Sequence, residues 1–296
     1  MTVLGVETRG GSARQDENNQ IATGAGREMT KAGERMADVL VSGTSRLSRF
    51  REVPVIGPLL RWAGRRFLPA NKLIWVRVQH GPASGLWIRV NPRTGGQAQM
   101  GGGEAAVQAE MVAQLRPGMT FYDLGANMGF FSLLGARLVG ASGKVISFEA
   151  DPEIAERLRE NLSYNGFEQA TVEQKAVWSK DGAVSFARAD TKMSPDRGLG
   201  HVVAGNTAGE QMIRAEAVCL DGFVGSHPAP DFIKCDVEGA EVAVFAGAER
   251  LLREKRPVVL VEMHNVENRA VLVRKFEELG YRCKDVDANH VVATPG

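Results

Sequence analysis

The chain has 296 residues, 44% hydrophobic and 24% charged, enough to bury a sizeable core, which excludes the disordered and fibrous classes. Lys and Arg (36) almost balance Asp and Glu (35), so no global field draws in nucleic acid or an acidic partner. Cys219, Cys235 and Cys283 are scattered and odd in number, which argues against a disulfide framework and for a reducing compartment.

Residues 1–30 are polar and Gly-rich and read as a disordered tail. Residues 31–48 can form a short helix with Met36, Val39 and Leu40 on one side. Residues 46–68 interleave Arg49, Arg51, Arg61, Arg65 and Arg66 with Leu59, Leu60, Trp62 and Phe67. Two readings stay open there: a helix packed on the main domain, or an amphipathic arm on an anionic membrane surface or lipid-like substrate. "KLIWVRVQ" and "GLWIRVNP" alternate apolar and polar residues around a Gly-Pro turn and predict a hairpin, as a lid or extension. Residues 31–100 are therefore expected to form an N-terminal extension. A Gly-rich loop follows, then a helix, "EAAVQAEMVAQL", stopped by Pro117-Gly118.

From residue 120 the pattern becomes regular. Strands are expected at 120–125, 144–149, 170–177, 231–236, 257–263, 280–284 and 290–294, with helices near 129–139, 152–165, 240–253 and 266–279. Such alternation specifies an α/β fold with an open, doubly wound, mostly parallel sheet of seven strands. The last two strands are joined by five residues, too few for a crossover, so they close one edge as an antiparallel hairpin. Segment 190–213 interrupts the alternation and reads as a substrate-binding or surface loop. No apolar run is long enough to span a membrane, and no signal-peptide pattern opens the chain. The expected location is the cytoplasm, with peripheral contact at the inner face of the membrane as the option raised by residues 46–68.

In a doubly wound sheet, ligands bind beyond the carboxyl ends of the strands at the switch point. "FYDLGANMG" places Asp123, Gly125, Asn127 and Gly129 there, at the start of a helix. A dinucleotide turn requires G-x-G-x-x-G, and Asn127 stands where its second glycine would be. "SFEADP" ends the next strand on Glu149, 26 residues past Asp123, in position to accept hydrogen bonds from a ribose. Glu149 could instead cap the next helix, but Asp151 can already do so. S-adenosylmethionine suits these groups better than NAD. It carries one ribose and no phosphate, and Asp123 with the glycine turn can hold its amino-acid end. Ala176 and Val177 end the third strand, where they can flank the adenine.

"DFIKCDVEGAE" then brings Asp236 and Glu238 to the end of the fourth strand, and "VVLVEMH" brings Glu262 and His264 to the end of the fifth. His264 is the first candidate for a general base, because an unperturbed imidazole titrates near neutrality. Glu238 and Asp236 are the alternatives, as base or as holders of the acceptor. These four residues match no short metal-ligand motif, and no metal is assigned. His80, His201, His227 and His290 sit in loop or edge contexts and read as surface or structural. Trp178 and Phe186 read as core or cofactor wall.

Taken in order, "FYDLGANMGFFS", "SFEADP", "KAVW", "DFIKCDVEGAE" and "VVLVEMH" resemble the FkbM-type family of S-adenosylmethionine-dependent methyltransferases. The resemblance covers roughly residues 100–296, expected as a methyltransferase domain over 101–296, and leaves residues 1–70 outside. It implies a Rossmann-like fold and methyl transfer, usually to a hydroxyl oxygen of a small molecule, sugar or lipid. It also implies that Asp123, Gly125, Asn127, Gly129 and Glu149 bind the cofactor. Two other readings are kept: a catalytically idle cofactor-binding or membrane-docking module, and a nicotinamide oxidoreductase, which Asn127 disfavours. The expected partner is a small-molecule, glycan or lipid acceptor, not nucleic acid.

Overall fold

The computed structural model describes residues 73–91, 96–188, 201–203 and 211–296. The expected tail, the helix of 31–48, the arginine-rich segment 46–68 and most of 190–213 lie outside the described residues.

In chain order the strands are β1 (Ile74–Arg77), β2 (Trp87–Val90), β3 (Thr120–Leu124), β4 (Lys144–Phe148), β5 (Ala170–Glu173), β6 (Ala176–Val177), β7 (Gly182–Arg188), β8 (His201–Val203), β9 (Gln211–Val218), β10 (Phe232–Cys235), β11 (Val258–Glu262), β12 (Tyr281–Asp285) and β13 (His290–Pro295). Seven of them form the main sheet, in the order β12-β13-β11-β10-β3-β4-β5. β3, β4, β5, β10 and β11 run parallel, whereas β13 is antiparallel to both of its neighbours. This is the predicted sheet with its antiparallel hairpin at one edge. The central strands are buried along their whole length, as in "FIKC" of β10, because helices cover both faces of a parallel sheet. The chain leaves β3 toward β4 and β5, then returns to the other side of β3 through β10 and β11. The switch point therefore lies between β3 and β10.

Helix Pro152–Tyr164 shows how local sequence builds these layers. Proline opens it, and the Asp151 carboxylate caps it by accepting from the backbone N–H groups of Glu153 (2.8 Å) and Ile154 (3.3 Å). Ile154, Ala155, Leu158 and Leu162 form its buried stripe. β1 and β2 make the predicted hairpin, which rests on this helix. Asn165 and Asn161 accept from the Trp87 and Arg89 N–H groups, both at 2.9 Å, and Trp75 stacks on Tyr164.

The structure departs from expectation in three places. The strand expected over 170–177 is broken at Gln174-Lys175: β5 stays in the main sheet, while β6 pairs with β9. A second sheet, in the order β6-β9-β7-β8, occupies part of the stretch read as an interruption. The helix expected over 240–253 is two, Glu241–Ala246 and Glu249–Glu254. Gly247 breaks it by packing against the Trp178 carbonyl, and a Cβ there would lie 2.5 Å from that oxygen.

Candidate active site

A cleft opens at the switch point. It encloses about 740 Å³ of space, part of it open to solvent. Gly125 and Asn127 after β3, Glu149 after β4, Ala176 and Val177 of β6, and Asp236 and Glu238 after β10 all line it. Phe186 and Val202, from the second sheet, complete the apolar wall.

The turn after β3 is shaped by its contacts. Gly125 has φ +76°, and a Cβ on it would sit 1.8 Å from the Asp236 carbonyl oxygen, so only glycine lets the two strand ends meet. Asn127 is also left-handed, with φ 51°, and its N–H donates to Glu149 Oε2 at 2.9 Å. The other Glu149 oxygen accepts from the Asp151 N–H at 2.8 Å. Burial pushes the Glu149 carboxyl up to about 7 even though these two N–H groups favour its charge. Asp151, not Glu149, caps the following helix, so the Glu149 carboxylate faces the cleft.

Two residues expected in the lining lie elsewhere. Asp123 is fully buried beneath the cleft, on the side of the sheet covered by helix Phe130–Val139. Its Oδ2 accepts from Ser132 Oγ at 2.6 Å, and Ser147 Oγ lies 2.8 Å from the same hydroxyl. Its cross-strand partner is Lys234. Burial raises the Asp123 carboxyl against the pull of that ammonium. The sequence reading put Asp123 at the amino-acid end of a cofactor; strand alternation turns its side chain into the helix layer, where Oδ1 has no hydrogen-bond partner. Gly129 opens the same helix at φ +93°, against Leu158, and shapes the turn without lining the cleft.

The second motif converges as expected. His264 Nε2 lies 3.2 Å from Glu238 Oε2 and 3.7 Å from Asp236 Oδ1. Its Nδ1 donates to Glu241 Oε1 at 2.7 Å. The hydrogen bonds to Glu238 and Glu241 push the His264 pKa up to about 10, so the ring carries its proton at neutral pH. This corrects the expectation of an unperturbed histidine poised to take a proton. Burial acts to raise the Asp236 carboxyl, but Lys234 Nζ, 3.2 Å from Oδ2, outweighs it and holds the group below the usual range. Glu238 sits at φ 50°, ahead of Gly239, and this turn presents it to the cleft.

Several participants were missed by sequence reasoning. Lys234 is a lone charge inside an apolar strand, a visible signal that was passed over. Glu241 lies within the quoted "DVEGAE" and accepts from His264, the Gly239 N–H and Asn268 Nδ2. His290, read as surface or structural, is buried beside Glu262, its cross-strand partner.

The profile of the FkbM methyltransferase domain matches residues 123–283. The chain belongs to the FkbM methyltransferase family. FkbM methyltransferases depend on S-adenosyl-L-methionine, and that is the cofactor of this fold. The residues present fit it: a carboxylate for ribose hydroxyls, an apolar wall for a base, and a glycine turn that admits no Cβ. Among curated proteins, the chain is similar to protein-L-isoaspartate O-methyltransferase 2 of Archaeoglobus fulgidus, 39% identical over 67 residues, 23% of this chain and 30% of that one. It is also similar to the arsenite methyltransferase of Halobacterium salinarum, 41% identical over 56 residues, 19% of this chain and 14% of that one. The chain thus spans less than a third of the length of these relatives. Among solved structures it is similar to an FkbM methyltransferase from Methylobacillus flagellatus, with a TM-score of 0.44 and 18% identity, covering 67% of this chain and 56% of that one. No helix among the described residues is long and apolar enough to cross a membrane.

Proposed function

We propose that the protein transfers a methyl group from S-adenosylmethionine to a hydroxyl oxygen of a small molecule, sugar or lipid-linked glycan. The observation that carries this reading is the pair Asp236 and Glu238 in the lining of the cofactor cleft, with His264 against both. Transfer to a hydroxyl oxygen is helped by a group there that removes the hydroxyl proton.

When bound, S-adenosylmethionine supplies a methyl group already activated on a sulfonium. Everything else falls to the chain. Glu149 holds the ribose, Ala176 and Val177 flank the adenine, and Gly125 and Asn127 shape the turn around the remainder. Aligning the acceptor oxygen can contribute up to roughly 7–11 kcal/mol of the barrier reduction. Glu238 accepts the acceptor's proton as the new carbon–oxygen bond forms. His264, charged and held by Glu241, keeps Glu238 and Asp236 in place. Asp236, kept ionised by Lys234, binds the acceptor beside the reacting oxygen.

Glu238→Gln tests this reading. It should leave cofactor affinity within twofold of wild type and lower turnover by ~10²–10⁴-fold. A variant with wild-type turnover would remove Glu238 as the proton acceptor.

A further inference from the structure

We propose that Glu104, Glu262 and His290 form a binding site for one divalent first-row metal ion at the carboxyl end of β11, beside the acceptor end of the cleft. One ligand atom from each of the three lies within 4.8 Å of the others. Ligands bound to one ion at ~2.1 Å are at most ~4.2 Å apart, so small rotations of the two carboxylates complete the set. Glu262 and His290 face each other directly across β11 and β13. Glu104 reaches them from the loop ahead of helix Ala105–Gln114, and its side chain makes no capping bond there.

The observation that points to an ion is His290 itself. The residue is 4% exposed, yet its Nε2 has no hydrogen-bond partner. The nearest carboxylate oxygen, Glu262 Oε2, is 3.6 Å away, too far for a hydrogen bond. A buried ring nitrogen left unpaired calls for an explanation. The other nitrogen, Nδ1, is 2.8 Å from Asp287 Oδ1. That same oxygen accepts from the Asn289 and His290 N–H groups and so is fixed in place. A carboxylate on Nδ1 fixes that nitrogen as a donor and leaves Nε2 to face an ion, the usual support behind a metal-bound histidine.

Charge points the same way. Glu104 lies near Glu262 and Asp236, with Lys234 as the nearby ammonium, and Lys234 already bonds Asp236. A dication would offset the excess. Asp236, Glu262 and His264 also meet the distance test, but both nitrogens of His264 already face carboxylates, so that set lacks a vacant donor. One imidazole with two carboxylates suits Mn²⁺, Fe²⁺ or Zn²⁺ better than a thiolate-seeking or all-oxygen ion. Glu104 is exposed and gives the ion a way in.

This inference rests on the transferase reading for its use. An ion here would lie next to Asp236 and polarise the acceptor hydroxyl as a Lewis acid. Its binding can be measured without turnover. The full chain, stripped with a chelator and dialysed, is titrated with MnCl₂ and with ZnCl₂ by calorimetry, and its metal content as purified is read by mass spectrometry. One equivalent should bind. Glu104→Gln and His290→Gln should each weaken binding at least tenfold, and Asp287→Asn by ~10–100-fold. Circular dichroism checks that each variant is folded. Should His290→Gln fail to fold, Glu104→Gln decides, because its side chain holds no structural contact at the helix start. Absence of stoichiometric binding in the wild type, or unchanged affinity in the folded variants, overturns the site. If S-adenosylhomocysteine still binds in that case, only the metal is lost; if it does not, the transferase reading falls too.

Discussion

Glu149 links burial to binding most directly. Its carboxyl is pushed up to about 7 by burial, well above the usual carboxylate range. The fold therefore favours the protonated form. The cost of the buried charge is absent below the unfolded pKa and grows as pH rises toward 7. Ribose hydroxyls that donate to the carboxylate reverse this preference, so cofactor binding should release a proton. S-adenosylhomocysteine affinity should then be flat above about pH 7 and fall by up to tenfold per unit below it. Calorimetry across that range checks the slope, and a pH-independent affinity would contradict it. Glu149→Ala should weaken binding by roughly 1.5–3 kcal/mol, the usual size for hydrogen bonds to a charged group. Lys234 carries a different kind of prediction. It is buried between Asp123 and Asp236, with Phe131 4.6 Å from its ammonium. Lys234→Met leaves the buried Asp123 and the partly buried Asp236 without this ammonium and should cost up to ~3–5 kcal/mol of stability. Urea unfolding showing a loss under about 1 kcal/mol would mean that the carboxylates find other relief.

At the scale of elements, the loop after β3 and the loop after β10 act as one unit because Gly125 lets them touch. Gly125→Ala adds a Cβ at 1.8 Å from the Asp236 carbonyl and forces an alanine to φ +76°. The β10 loop must move, so the variant should lose cofactor binding and about 1–3 kcal/mol of stability from overpacking. A folded Gly125→Ala protein with wild-type cofactor affinity would show that the two loops are not coupled. The β1–β2 hairpin does not act as a lid in this structure. Its apolar face joins Ala126, Leu133, Leu158 and Leu162 in one cluster, against the helices and outside the cleft lining.

For the whole molecule, the main sheet was legible in the sequence because its parallel strands are mainly apolar and two of its helices open on side-chain caps. Asp151-Pro152 and Asn265 show this directly. The switch point followed from that order, and with it Gly125, Asn127, Glu149, Asp236 and Glu238 at the cleft. The second sheet was not legible: β7 and β9 are partly exposed, short of apolar runs, and set among glycines. The break at Gly247 depends on a contact with Trp178, nearly seventy residues earlier in the chain, which no local pattern encodes. The raised pKa of His264 likewise depends on Glu238 and Glu241 closing on the ring from the other strand end. Glu104 and His290 become partners of Glu262 only once the sheet is assembled.

The central claim is methyl transfer to a hydroxyl, and the most direct measurement is mass spectrometry of a hydroxylated acceptor pool incubated with the purified protein and isotope-labelled S-adenosylmethionine. The account predicts a labelled methyl group that survives mild base, as an ether does, and that disappears when Glu238→Gln replaces the wild type. Label found only on a base-labile ester, on nitrogen or carbon, or on nothing at all would contradict it.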